Sequence, residues 1–211
     1  MSAPRKIGCE QVDGVRADGD RPRDERRGAL LDAMGRHLLA HGMKGSPLRA
    51  LAAAAGTSDR MLLYYFSDKD ELLAALLAHV ADQLATHLAE SGGGRRRTDA
   101  QLLAWLWAAA RTAALRPYML LFLELAAAAG RGEEPHRTAA GRITHGFVAW
   151  VAERLDGQPA ERGARAALLL ATLDGLFLLD SVGRTQDADA AAGVLLDAPD
   201  TKRRPKHRSR P

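Results

Sequence analysis

Residues 42–73, GMKGSPLRALAAAAGTSDRMLLYYFSDKDELL, contain two short amphipathic segments separated by a glycine. Ser46 and Pro47 are typical of a helix start, because a hydroxyl can accept a hydrogen bond from a free backbone N–H and the proline ring suits the first helical position. Gly56 permits the left-handed backbone of a tight turn after the first segment. Apolar residues at helical spacing predict one buried face on that segment, formed by Leu48, Leu51, Ala52 and Ala55.

The second segment completes a helix-turn-helix pattern. Ser58 is its expected N-cap, and Leu62 and Tyr65 would pack back on the first helix. Ala52 is small where the two helices would cross, Gly56 follows four residues later, and the apolar Leu62 follows six after that. This order of a small residue, a glycine and an apolar residue is typical of two helices joined by a short turn.

The aromatic-rich stretch that follows carries a resemblance to a known family. It runs LLYYFSDKDELL over residues 62–73 and resembles the form LYxHF.sKeeLl that opens helix four in the TetR-type transcriptional regulators. The resemblance covers residues 23–75, with Leu63 in place of the usual tyrosine, Tyr65 in place of histidine and Arg60 in place of a common glycine. It implies a double-stranded DNA operator, an unknown small-molecule effector and a homodimer paired through the last two long helices.

Periodicity and helix breakers predict an all-α fold of about nine helices without strands. We expect an N-terminal three-helix helix-turn-helix domain followed by a C-terminal helical bundle for ligand binding and dimerisation, and we name these two parts the head and the body. The expected bounds are 1–22 for a disordered arm, 23–67 for the head, 68–199 for the body and 200–211 for a basic disordered tail. Helix one is expected from about 23 to 41, with Gly42 ending it. Helix four is expected from about 69 to 90, with the Asp68 carboxylate as its cap, and the helices after it at about 98–115, 117–129, 135–155, 160–182 and 187–198.

Charge is unevenly distributed along the chain, although the formal net charge is only +4. Residues 23–69 carry eight basic and five acidic residues, whereas residues 70–200 carry twelve basic and seventeen acidic ones. Residues 201–211 add six positive charges and no acid. This asymmetry favours a head that faces phosphates.

The composition also bears on the compartment. The single cysteine, Cys9, excludes an internal disulfide framework and fits a reducing environment. No apolar run approaches the ~20 residues of a membrane span, and the N-terminus carries no apolar secretory segment. We therefore expect a cytoplasmic protein without a membrane partner.

The exposed edges of the helix-turn-helix are the expected DNA contacts. Arg49 and Lys69 lie near the starts of helices two and four, where backbone N–H groups also point outward, and are assigned to phosphates together with Tyr64. Arg60 lies in the first turn of helix three, and its guanidinium fork matches O6 and N7 of guanine. The full expected set is Ser46, Arg49, Ser58, Asp59, Arg60, Met61, Tyr64, Tyr65 and Lys69.

A ligand pocket is expected among the three middle helices of the body, where the aromatic residues concentrate. Pockets between helices are mostly apolar, with a few polar groups that fix the orientation of the ligand. The alternative, that the rings are ordinary core and the polar groups face solvent, stays open for each residue. The candidate lining is Trp105, Trp107, Arg111, Tyr118, Phe122, Glu124, His145, Phe147 and Trp150, with Thr144 as a further polar candidate.

Helix eight is apolar on nearly all sides and must therefore be buried on most of them. A subunit interface is the expected burial, and the alternative is the central helix of a monomeric bundle. Asp174 is expected to hydrogen-bond across the interface, because an unpaired buried carboxylate is costly. The expected interface residues are Ala166, Leu169, Leu170, Leu173, Asp174, Phe177 and Leu178.

The body contains no pattern of catalytic or metal-binding residues. His37 and His41 have the i, i+4 spacing of metal ligands, but no cysteine or carboxylate nearby in sequence completes a set. We expect no metal, no cofactor and no enzymatic activity. The predicted function is a dimeric repressor that a small apolar molecule releases from a palindromic operator. The rival is a helical-bundle small-molecule-binding protein or enzyme without sequence-specific DNA binding, which leaves residues 46–66 unexplained.

Overall fold

The computed structural model describes residues 21–93 and 95–197, and the regular secondary structure within these ranges is helical apart from one isolated bridge between Arg97 and Leu155. The predicted all-α class with nine α-helices is confirmed for this part of the chain. The helices are α1 (Arg21–His41), α2 (Leu48–Ala54), α3 (Asp59–Tyr65), α4 (Lys69–Leu88), α5 (Asp99–Ala110), α6 (Arg116–Gly130), α7 (His136–Arg154), α8 (Pro159–Ser181) and α9 (Thr185–Asp197), with a π-helical turn, Ala89–Gly93, after α4.

The predicted arm and tail fall mostly outside the described residues. Residues 21 and 22, which were expected in the arm, instead begin α1. The basic tail at 200–211 lies wholly outside the described residues.

Local chemistry ends and begins the helices of the head largely as predicted. Gly42 ends α1 with φ 68°, and Gly56 makes the α2–α3 turn with φ 64°. The Ser58 hydroxyl caps α3 by accepting from the Met61 N–H at 3.3 Å. The apolar faces of α1, α2 and α3 form a common core that includes Leu51 and Leu62, which are both buried.

The start of α2 differs from the prediction. The N-cap position is Pro47, without a side-chain cap, and the first helical residue is Leu48. The Ser46 hydroxyl instead donates to the Gly42 carbonyl at 2.7 Å. Ser46 stabilises the turn after α1, because that carbonyl lies within its reach.

The end of α5 is also earlier than predicted. The helix begins with a capping box of Thr98 and Gln101, but it ends at Ala110 rather than near residue 115. Thr112 accounts for the difference, since its hydroxyl donates to the Ala109 carbonyl at 2.7 Å and accepts from the Leu115 N–H at 3.3 Å. These hydrogen bonds replace the next helical turn.

Helix α4 joins the head to the body and packs against α1, α6 and α7. The Asp68 carboxylate caps it by accepting from the Glu71 N–H at 2.7 Å, as predicted. The segment Lys69–Ser91 is the one helix of the described ranges that is long and apolar enough to cross a membrane, since an 18-residue window within it has a mean hydropathy of 1.3. The expectation that no apolar run approaches that length is therefore wrong, because many alanines raise the hydropathy of a helix whose leucines pack in the protein core.

A buried carboxylate fixes the far end of the body. Asp180, near the end of α8, accepts from Arg116 at 2.5 Å and from the Thr185 hydroxyl at 2.8 Å. These hydrogen bonds hold the pKa of Asp180 below its usual range, and the one from Arg116 has the largest effect. The start of α6 and the α8–α9 turn are thereby held together, which positions the last two helices.

Candidate nucleic-acid interface and ligand pocket

The head presents basic side chains that no other part of the described structure neutralises. Arg49 on α2, Arg60 on α3 and Lys69 at the start of α4 are all exposed. None of the three has a hydrogen bond or ion pair within residues 21–93 and 95–197. Lys44, in the α1–α2 turn, is exposed as well and was missed because it belongs to no helix. Their charges are therefore available to phosphates.

The two tyrosines of the predicted set have different positions. Tyr64 is 64% exposed, and the Arg23 guanidinium lies 5.4 Å from its ring centroid. Tyr65 is half-buried and meets the Tyr64 ring edge to face, with the ring centroids 5.3 Å apart. Tyr64 is thus the aromatic hydroxyl presented to solvent, whereas Tyr65 supports it.

The residues at the start of α3 also differ in exposure and role. Arg60 and Met61 are exposed, Asp59 is half-buried, and Ser58 serves as the cap of the helix. The Ser46 hydroxyl donates to the Gly42 carbonyl, which is a structural contact, and its place in the DNA-binding set stays a prediction.

Glu71 holds the start of α4 against α1. Its carboxylate accepts from both the hydroxyl and the N–H of Ser67 at 2.6 Å and pairs with Arg27 at 3.3 Å. These partners hold the pKa of Glu71 below its usual range, and the hydrogen bond from the Ser67 hydroxyl has the largest effect. The contacts orient the segment that carries Lys69.

The body contains a half-open cavity between α4, α5, α6, α7 and α8. Four of the nine predicted residues line it: Tyr118, Phe122, Phe147 and Trp150, together with Thr144. The rest of the wall is almost wholly aliphatic. A second, shallower groove between α4 and α7 lies on the outer side of Phe147 and Trp150.

The other five predicted pocket residues lie outside the lining. Trp105 stacks on Trp150, with the ring centroids 6.3 Å apart, and Trp107 is buried under the Arg111 guanidinium. Arg111 itself pairs with Asp189 of α9 at 2.6 Å. The remaining two are Glu124, which contacts the head, and His145, which is exposed.

Three residues assigned to the dimer interface line the cavity instead. Leu170, Leu173 and Asp174 project from α8 between the walls formed by α4 and α7. Asp174 has no hydrogen bond or ion pair to any described residue, and burial raises its pKa to about 6. An aspartate that interrupts an otherwise apolar helix is visible in the sequence, but the sequence does not show that Asp174 faces the cavity rather than a second subunit.

Asp174→Asn should stabilise the protein at neutral pH. The pKa of Asp174 is raised from 3.8 to about 6, so the folded state retains a proton that the unfolded state has lost, and stability falls as the pH rises from about 4 to about 6. Asparagine stays neutral, so the variant should be more stable at pH 7.5 by on the order of 1–3 kcal/mol, and equally stable near pH 4. Urea denaturation at the two pH values measures this difference. Asp82→Asn, an exposed site on α4, is the matched control, and the same gain in both variants would contradict the assignment.

The apolar stripe predicted as a dimer interface is mostly internal. Ala166, Leu169, Leu173 and Phe177 are buried within the chain, and of the expected set only Leu178 is largely exposed, at 51%. A different stripe faces outward, because a helix this apolar offers several faces at the same spacing. It comprises Leu168, Leu178, Leu179 and Val182 of α8 with Val194 and Leu195 of α9, and we call it the α8–α9 face.

The histidine pair of α1 has a structural role. The His37 and His41 rings stack with centroids 4.2 Å apart, and a ring nitrogen of each lies near a backbone carbonyl, at 3.3 Å from Gly45 and 3.0 Å from His37. In the part of the chain that the structure describes, no three His, Cys, Asp or Glu side chains are grouped to hold a metal ion.

Comparisons with known proteins agree with this arrangement. The family model described as "Bacterial regulatory proteins, tetR family" matches residues 30–76. The HTH-type transcriptional repressor AcnR of Corynebacterium glutamicum is 33% identical over 76 residues, which is 36% of this chain and 40% of AcnR. The HTH-type transcriptional regulator BetI of Burkholderia thailandensis is 39% identical over 62 residues, which is 29% of this chain and 32% of BetI. The chain thus spans less than half the length of these two regulators.

The likeness in structure extends further. The multidrug binding protein EbrR, solved in complex with proflavin, is 26% identical, with a TM-score of 0.61 over 81% of this chain and 97% of EbrR. The relatives that match are transcriptional regulators rather than enzymes, so the rival reading as a helical-bundle enzyme or carrier is not favoured. Residues 30–76 thus match the tetR family of bacterial regulatory proteins, and the described fold as a whole is similar to that of solved proteins such as EbrR.

Proposed function

We propose that the chain is a dimeric transcriptional repressor that leaves a palindromic operator when a small, largely apolar effector enters the cavity of the body. The observation that carries the proposal is the combination, in one fold, of an exposed basic face on α2–α4 with a half-open apolar cavity lined by the same helix α4. EbrR, whose fold is similar, was solved in complex with the small molecule proflavin, which supports the proposal of a small-molecule effector. A repressor of this kind acts in the cytoplasm and has no enzymatic activity of its own.

A genome-wide map of binding sites tests the proposal. The protein should occupy a few palindromic sites, and fluorescence anisotropy with a recovered site should show affinity that falls steeply as salt is raised, because phosphate contacts release counterions. The genes beside those sites would also indicate the chemistry of the effector. Binding without sequence preference would contradict the proposal. Loss of DNA binding in a 1–200 truncation would contradict it as well, because the basic tail would then be the sole source of the affinity.

Two substitutions should separate phosphate contacts from base contacts. Lys69→Ala should weaken binding to every duplex and flatten the salt dependence, because it removes one phosphate partner. Arg60→Ala should mainly relax the preference at one base pair, with a loss of on the order of 1–3 kcal/mol there. Anisotropy against the operator and its single-base variants measures both effects. A uniform loss for Arg60→Ala would move that residue to the phosphate class.

The cavity and the head are linked by two routes. The first route is helix α4, which joins the head to the body along the chain. A tilt of a few degrees would change the separation of the two recognition helices of the proposed dimer, which must stay at ~34–36 Å to reach successive major grooves. The second route was not predicted: the Glu124 carboxylate of α6 accepts from the Met43 N–H, in the α1–α2 turn, at 2.8 Å. Phe122 and Leu125 of the same helix line the cavity, so a ligand that displaces α6 also displaces this contact.

Glu124→Ala should loosen the α1–α2 turn. The Met43 N–H loses a charged acceptor, and a hydrogen bond of this kind contributes about 1.5–3 kcal/mol, so its hydrogen exchange should be about tenfold faster or more. Exchange measured by NMR at Met43 checks this result. Glu133→Ala, which removes a carboxylate paired with Arg131 after α6, is the control and should leave the Met43 amide unchanged. Equal protection in both variants would remove Glu124 from the coupling route.

The proposed dimer forms through the α8–α9 face. Two copies related by a two-fold axis would each bury the same exposed leucines and valines, as an isologous interface requires. Leu168 and Val194 are 66% and 74% exposed in the single chain, and clustered apolar side chains with this exposure mark an association surface.

A further inference from the structure

Asp174 is a charged group in a place that otherwise excludes charge. It lies on α8 in the wall of the cavity, and its neighbours there are mainly aliphatic and aromatic side chains. The other lining residues with polar side-chain groups are Tyr118, Thr144 and Trp150. No hydrogen bond or ion pair joins the Asp174 carboxylate to any residue that the structure describes.

The charges around the cavity leave Asp174 without a partner. Among the described residues, the lining from α4, α5, α6, α7 and α8 contains no Lys, Arg or His. His87 of α4 contacts the outer side of Tyr118, with ring centroids 5.9 Å apart, and is not part of the wall. Arg116 and Arg111 are engaged by Asp180 and Asp189. The cavity therefore carries one negative group that the chain itself does not neutralise.

We propose that the effector of this cavity is a lipophilic cation, an amine or quaternary ammonium whose charged nitrogen contacts Asp174 while its apolar part fills the space between α4 and α7. The inference rests on the proposed function of the cavity as the effector site. A buried carboxylate is stabilised when it is paired, so a cation gains from Asp174 what a neutral molecule does not. The rings of Phe122, Phe147 and Tyr118 offer further electrostatic attraction to a cation.

The same geometry discriminates against other ligands. An anion such as a fatty acid would bring a second negative charge to an apolar site that already holds one, and like charges at close range repel strongly where water is scarce. A neutral apolar ligand would fill the cavity but cover the carboxylate without pairing it. Selectivity for positive charge is thus the signature that separates this proposal from a merely hydrophobic pocket.

Three probes of one chain length and different charge test the proposal. Decyltrimethylammonium, decanol and decyl sulfate are titrated into the full-length protein at concentrations well below micelle formation, without DNA. Binding is measured by calorimetry and by the change in tryptophan fluorescence, to which Trp150 in the lining contributes. We expect decyltrimethylammonium to bind at least tenfold more tightly than the other two, and its affinity to rise from pH 5 to pH 7.5 as Asp174 ionises.

Variants at Asp174 assign the selectivity to this residue. Asp174→Asn should lower the affinity for decyltrimethylammonium about tenfold and remove its pH dependence, while binding of decanol is kept or improved. Asp174→Glu should retain most of the preference for the cation. Asp82→Asn, which removes a carboxylate from the outer groove, should change nothing. The proposal would be overturned if the wild-type protein and Asp174→Asn bound decyltrimethylammonium with equal affinity. It would also be overturned if the wild-type protein bound decyltrimethylammonium and decyl sulfate equally well.

These titrations are independent of the proposed regulatory function. If decyltrimethylammonium binds through Asp174 but does not change operator affinity, the site is confirmed and the coupling to DNA fails. If decanol or decyl sulfate binds better and releases the operator, the repressor stands and the cation preference is wrong.

Discussion

Leu168→Glu on α8 should convert the proposed dimer into a monomer and lower the affinity for a palindromic operator by about 10²–10⁴-fold, the range by which linked binding sites exceed single ones. Leu168 belongs to the exposed α8–α9 face and is 66% exposed in the single chain, so the substitution would place a glutamate of each subunit in the proposed apolar contact. Their charges would have to be desolvated without a partner, which an association surface of this kind does not tolerate. Sedimentation velocity and fluorescence anisotropy measure the two consequences separately.

Leu120→Glu is the matched control for this substitution. Leu120 is an exposed leucine on α6, away from the α8–α9 face, so the same charge is added without disturbing the proposed interface. The control should remain dimeric and bind the operator normally. A wild-type monomer, or a Leu168→Glu variant that still sediments as a dimer, would contradict the assignment of this face.

Phe66→Ala should cost about 3–5 kcal/mol of stability and abolish DNA binding, in keeping with other truncations of buried aromatic residues. Phe66 follows α3, is fully buried, and has the Arg27 guanidinium of α1 4.6 Å from its ring centroid. It joins the recognition helix to α1 at the point where α4 begins. Its removal leaves a cavity that the surrounding helices can fill only by changing the orientation of α3.

Leu63→Ala provides the comparison within the same segment. Leu63 is exposed, so its truncation should change the free energy of unfolding by no more than about 0.5 kcal/mol. Urea denaturation measures both variants, and hydrogen exchange of the α1–α3 amides locates the loss in the head. If Phe66→Ala were as stable as Leu63→Ala, the packing of the head would not depend on this ring.

Short-range chemistry determined much of the head from sequence alone. A positive φ at Gly42 and Gly56 and a capping hydroxyl at Ser58 depend on the residue itself and its nearest neighbours, so they could be predicted without the tertiary structure. The helix count and all-α class followed from the same breakers and caps. Ser46 was the exception, because its hydroxyl had two acceptable roles and the nearby Gly42 carbonyl decided between them.

The tertiary structure alone decided which faces of the body helices are internal. Helix α8 carries apolar residues on several sides, so periodicity could not tell the buried stripe with Phe177 from the exposed one with Leu168, nor show that Asp174 faces the cavity. The contact between Glu124 and Met43 spans 81 residues and has no local signal at either end. Such features arise from the packing of whole helices against each other, in which a small rotation changes what each side chain meets, and spacing along one helix does not contain that rotation.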